Sequence, residues 1–195
     1  MGSERKKSII LEAVRATSEL GFKKTNARSI AERLGIQPSN VFYYFKTEPD
    51  LTKAMLAQIV LTNEDVVEKF TDKKQPTSCR QKLKCYILGN LEWAINHRES
   101  VNVLLYGICE GQSDPELLQL ISKALLLGED KVYNLIVAGI AEDEFRLTID
   151  LKPREVAKAL HQSIIGHIVR SSTETPSMQI YLKRMNAVLD SFIST

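Results

Sequence analysis

The chain has 195 residues, 44% of them hydrophobic and 26% charged, and a net charge of +2. That length allows one large domain or two small ones with a sizeable core, and the composition is that of an ordinary soluble protein. No apolar run approaches the roughly 20 residues that a bilayer span needs, and no apolar segment with a cleavage site follows the opening MGSERKK, so neither membrane insertion nor a secretory signal is expected.

Helical signals run from end to end. Ser3 can cap a first helix whose apolar positions Ile9, Ile10, Ala13, Ala16, Thr17 and Leu20 share one face, with Gly21 as its stop. Thr25 or Asn26 can cap a second helix, Ala27 to Leu34, facing inward through Ile30, Ala31 and Leu34 and ended by Gly35. Pro38 suits the first position of a third helix. Thr47-Glu48-Pro49-Asp50 resembles a capping box opening a long fourth helix, which carries Leu51, Met55, Ile59, Val66 and Phe70 before the polar stretch Thr71 to Pro76 reads as a connection. Ser78 with Gln81 opens a helix to about Arg98, and another spans roughly Ser100 to Glu110. Asp114-Pro115 opens a helix with Leu and Ile on nearly every side, as a central buried helix would have. Within it, Gly128–Lys131 reads as turn-like. Phe145, Leu147, Ile149 and Leu151 alternate at period two, which fits a short strand; with no partner strand in sight, an extended link packed on helices is the expectation. Pro153 and Pro176 each stand at a plausible start of the last two helices. The expected fold is all-α, about nine helices.

The most informative stretch is Ser29 to Phe45, SIAERLGIQPSNVFYYF. Two helices joined by a short turn containing glycine can place the second in the DNA major groove. Ala31 lets the helices cross closely, and Ile30, Leu34, Ile36, Val41 and Phe45 hold the pair on a core. Gln37, Ser39 and Asn40 put short donors and acceptors at the start of the second helix, where they reach base edges. Tyr43, Tyr44, Thr25, Arg28 and Lys46 suit phosphates, which set register rather than sequence. The plainer alternative is a packed three-helix head with solvated caps and half-buried tyrosines. Phe42 and Phe45 are expected in the core on either reading. Residues 1–53 hold ten Lys and Arg against six Asp and Glu, the remaining 142 sixteen against eighteen. A small DNA-binding head gives that balance, and so does a charged solvated face.

Residues 5–56 resemble the N-terminal domain of the tetracycline-repressor (TetR) family of one-component bacterial regulators. The match lies in Gly21-Phe22-x-x-Thr25, Ile30-Ala31, Leu34-Gly35-Ile36 and Tyr43-Tyr44-Phe45-Lys46. The resemblance implies a helix-turn-helix domain over 1–47 and an effector-binding and dimerisation domain over 48–195. It implies base contacts from Gln37, Ser39 and Asn40 and phosphate contacts from Thr25, Tyr43, Tyr44 and Lys46. It further implies a homodimer on a palindromic operator, most often a repressor, working in the cytoplasm. The chain departs from the family at Ser29, where an acid is common, and at Glu48-Pro49, where Lys-Glu is common. A glutamate facing phosphate is repulsive.

By the same resemblance, helices from Thr47 past Lys123 enclose a pocket for a small effector. Tyr86, Asn90 and Trp93 share one helix face, and Tyr106, Cys109 and Tyr133 lie on the next helices, an assortment that suits a largely apolar ligand. Each is also an ordinary core residue type. The last two helices are the expected dimer surface, through Leu160, Ile164 and His167 on one and Met185, Leu189 and Phe192 on the other. Recognition helices then meet successive major grooves about 34–36 Å apart.

Catalytic readings fail on spacing. His161 and His167 are six residues apart, roughly 240° around a helix, so they do not chelate one metal. There is no GxGxxG, Walker loop, GxSxG or HExxH, hence neither cofactor nor enzyme is expected. Cys79, Cys85 and Cys109 form no CxxC pair and no even framework, which suggests free thiols in a reducing cytoplasm. The sequence therefore points to a ligand-responsive regulator bound to double-stranded DNA. The alternative is a helical small-molecule or protein-binding module whose head no longer reads DNA.

Overall fold

A computed structural model describes residues 2–148, 150–171 and 177–194. Among these, nine α-helices are joined by short connections, with one 3-10 turn and one two-residue ladder. The chain divides into two compact units, residues 1–62 with 97–124, and residues 63–96 with 125–195.

In the first unit, α1 (Gly2–Leu20) buries Ile9, Ile10, Ala13, Val14, Ala16 and Thr17 along one stripe. Leu20, expected on that stripe, is exposed. Gly21 stops the helix at φ 77°, and a 3-10 turn, Phe22–Lys24, leads to α2 (Ala27–Leu34) and α3 (Pro38–Tyr44). α4 (Glu48–Lys74) opens with a reciprocal pair: the Thr47 N–H donates to Asp50 Oδ2 and the Asp50 N–H to Thr47 Oγ1, both at 3.2 Å. α6 (Arg98–Gly111) packs on α1 and turns sharply into α7 (Pro115–Ala141), where Asp114 Oδ1 accepts the N–H groups of Glu116 and Leu117.

In the second unit, α5 (Cys79–Asn96) is the central helix. Leu83, Ile87, Leu91 and Ala94 are all but inaccessible, and α8 (Pro153–Ser171) and α9 (Met178–Phe192) pack against it and each other. α7 was expected in that place. Instead it buries Val132 and Ile136 while Leu126 and Leu127 stand 52% and 49% exposed. Apolar content sets how much a helix can bury, not what covers it.

Three local expectations also change. α4 does not stop at Phe70: the Thr71 hydroxyl bonds back to Val67 O, the helix runs to Lys74, and Gln75 ends it at φ 47°. Lys73 and Lys74 in its last turn favour that end of the dipole. Gly128–Lys131 continues α7 without a turn. The alternating segment does find a partner, since β1 (Arg146–Leu147) pairs antiparallel with β2 (Ile193–Ser194) at the far end of the chain. Ile149 of that segment lies outside the described residues, as does Pro176. α9 opens on Ser177, whose Oγ accepts the Ile180 N–H.

Candidate nucleic-acid interface

The head is built by caps. Asn26 Oδ1 accepts the N–H groups of Arg28 and Ser29 at 3.0 Å, and Ser29 Oγ accepts the Asn26 N–H at 3.0 Å. Ser29 thus returns the bond that an acidic residue makes in a capping box, which accounts physically for the serine here. At the other end of α2, Gly35 is left-handed at φ 62°. Its N–H reaches Glu32 O and the Ile36 N–H reaches Ala31 O, the paired bonds of a Schellman stop. Pro38 then starts α3.

This stop fixes which side of α3 faces outward. Val41 and Phe45 are buried, while Gln37, Ser39 and Asn40 are exposed on the first turn. The Gln37 side chain makes no cap bond, so its amide is not committed to the helix start. Tyr43 is 73% exposed and meets the half-buried Tyr44 edge-on at 5.0 Å. Phe42, expected in the core with Phe45, is 48% exposed instead, because the seven-residue helix has room for only one buried stripe. Arg28 and Lys46 are exposed, and the Thr25 hydroxyl donates to Gly21 O at 2.9 Å.

Arg33 is a residue the sequence reading did not single out. Its Nε meets Glu12 Oε1 at 2.5 Å and its Nη1 meets Glu19 Oε2 at 2.9 Å, clamping α2 to α1. The hydrogen bonds that Arg33 donates to Glu19 and Glu12 push the already high guanidinium pKa further up, so the clamp keeps its charge. The acids at Glu12 and Glu19, seven apart on α1, were the signal for it.

The candidate effector residues divide between the units. Tyr86, Asn90 and Trp93 are buried on α5. The Tyr86 hydroxyl donates to Gly128 O at 3.2 Å, and burial pushes its pKa up to about 12. Asn90 Nδ2 donates to Tyr86 O, and its Oδ1 accepts from Asn63 Nδ2 at 3.0 Å. Tyr133, in the same unit, lies under the Arg154 guanidinium at 4.6 Å. Tyr106 and Cys109 belong to the first unit and are exposed.

The residues expected at the dimer surface turn mostly inward. Leu160, Ile164, Met185 and Leu189 are buried in the single chain, with His167 and Phe192 half-buried and His167 edge-on to Tyr181. Those four serve the chain's own core. The outward sides of α8 and α9 carry Val169 and Ile180.

Cys79 is buried, and its thiol donates to Glu142 Oε2 at 3.4 Å, with Glu144 accepting the Arg80 N–H nearby. Burial, then Glu142, raises the thiol pKa. Cys85 is also raised by burial. Neither is an activated thiol.

No protein-family model matches the chain. It is 26% identical to the HTH-type transcriptional regulator TtgR of Pseudomonas putida over 113 residues, 57% of this chain and 53% of that protein. It is 38% identical to the HTH-type transcriptional regulator RutR of Escherichia coli over 58 residues, 30% of this chain and 27% of RutR. The match thus spans about half the length of the one curated relative and about a quarter of the other. A TetR transcription regulator from Haloarcula marismortui superposes with a TM-score of 0.81 at 18% identity, over 98% of this chain and 100% of that one.

Proposed function

We propose that this chain, which resembles the TetR family and has the fold of its regulators, is itself a homodimeric, ligand-responsive transcriptional regulator, and a repressor. The observation that carries this is the first turn of α3, where Gln37, Ser39 and Asn40 are exposed over buried Val41 and Phe45. Short amides and a hydroxyl at the start of a helix set by the Gly35 turn and Pro38 are suited to base edges, glutamine and asparagine to adenine above all. Tyr43, Tyr44, Arg28 and Lys46 take phosphates beside it. Thr25 joins them by rotating its hydroxyl away from Gly21 O.

On this reading residues 1–47 read a palindromic operator, and residues 48–195 bind the effector and a second copy. A small, largely apolar ligand near Tyr86, Asn90, Trp93 and Tyr133 shifts the chain toward a form with low operator affinity. That requires unequal ligand affinity for the two forms. The second copy docks on the outward sides of α8 and α9, with His167 and Phe192 at the margin. The chain acts by binding and not by catalysis, and no helix among the described residues is long and apolar enough to cross a membrane.

Glu48, exposed in the first turn of α4, favours a second reading, a binding module whose head does not read DNA. Footprinting on the DNA upstream of the chain's own coding region separates the two. A protected inverted repeat supports the regulator, and uniform cleavage at all concentrations supports the module.

A further inference from the structure

The first unit contains a cleft of about 470 Å³ walled by α1, the 3-10 turn, the first turns of α4 and the corner between α6 and α7. That size is within the usual range for small-molecule sites. Its floor is apolar, from Phe22, Leu51, Met55, Leu117 and Leu120, and its rim carries Glu48, Glu110, Asp114 and Glu116 against one lining cation, Lys23. Among the described residues only Glu116 of these four has an ion-pair partner, Lys53 at 3.5 Å.

Three of the acids have structural reasons to be there. Glu48, Asp114 and Glu116 stand at the starts of α4 and α7, where the helix dipole favours negative charge. Glu110 has the opposite situation. It occupies the last turn of α6, where the dipole opposes a carboxylate, and it is half-buried among other acids. The Phe22 N–H donates to its Oε1 at 3.2 Å, and Gly21 leaves it room, since a Cβ there would come within 2.7 Å of that oxygen. One backbone donor is a thin return for a charge at that place, and a cation seated over it supplies the rest.

We propose that this cleft binds a small organic ammonium ion bearing apolar substituents. The charged nitrogen faces Glu110 and Asp114, and the substituents rest on Met55, Leu117 and Leu120. The apolar floor and the breadth of the cleft disfavour a bare metal ion, and the rim repels an anion. The site lies in a different unit from Tyr86, Asn90 and Trp93, and it stands whether or not the chain regulates transcription. Its occupant braces the turn before α2 and the start of α4 against the α6–α7 corner.

The test is isothermal titration of the full chain with benzyltrimethylammonium chloride, and with sodium benzenesulfonate as the anion of similar size. Saturable binding of one cation per chain is expected, with no binding of the sulfonate. In an E110Q/D114N double variant the cation's Kd should rise about tenfold or more, since two charge-assisted contacts are lost. Glutamine and asparagine keep the acceptors for the Phe22, Glu116 and Leu117 N–H groups, and a thermal melt checks that the fold persists. Should the double variant melt early, Asp114→Asn alone carries the test, because asparagine caps a helix as well as aspartate; about a threefold rise is then expected. No saturable binding, equal binding of the sulfonate, or an unchanged Kd in a folded variant would overturn the proposal.

Discussion

Asn40 and Lys46 are both exposed and lie within two turns of chain, yet their chemistry assigns them different work. An amide pairs with one base edge, so Asn40→Ala should cost about 1–3 kcal/mol on the preferred sequence and little on random DNA. A lysine on phosphate acts on every sequence alike, so Lys46→Ala should weaken both equally and reduce the salt slope by about one. Anisotropy titrations on both kinds of duplex check this, and equal losses in both variants would remove Asn40 from readout. His161 permits a prediction of another kind. Its ring is buried against the position where Gly128 lacks a side chain, and burial lowers its pKa below 6.5 although Glu129 pulls the other way. The unfolded chain therefore binds the extra proton first as the pH drops below 6.5, and stability present at neutral pH is lost from there downward toward the folded pKa. The Tm should fall between pH 7 and pH 5 more steeply than in His161→Gln. Parallel profiles would show that the ring does not titrate as described.

At the scale of elements, the head was readable because its signals are local. Asn26 and the Gly35 stop act through bonds between residues within five positions, and Pro38 through its own fixed φ, so sequence spacing already states the geometry. Gly35 offers a clean test, since nothing lies within 4 Å of where its Cβ would stand and only its left-handed backbone resists substitution. Gly35→Ala should lower stability by about 1–2 kcal/mol in urea denaturation without a packing defect. A neutral result would mean that the α2–α3 turn is not held in that conformation. What was not readable depends on distant partners. β1 pairs with Ile193 and Ser194, 46 residues beyond Leu147 in one register position, and no local pattern announces that. The order of burial between α5 and α7 failed for the same reason. Both are rich in apolar residues, and the packing of distant elements, α8 and α9 among them, decides that α5 is enclosed.

For the molecule as a whole, the sequence supplied the fold class and a chemically sensible head, but not the outer surface of the body. A stripe such as Leu160, Ile164, Met185 and Leu189 looks the same whether it faces a second chain or its own core. The outward Ile180, half exposed on α9, distinguishes these cases. Ile180→Glu should shift sedimentation equilibrium toward monomer with the melt preserved, whereas Met185→Glu should unfold the chain. A dimer unaffected by Ile180→Glu would place the contact elsewhere. The central claim, that the capped head reads DNA, is tested most directly by anisotropy of the full chain on its upstream duplex and on a scrambled duplex across a salt series. We expect at least about a thousandfold preference for the upstream sequence at physiological salt, and log Kd rising linearly with log salt. Equal affinity for the two duplexes at every salt concentration would contradict it.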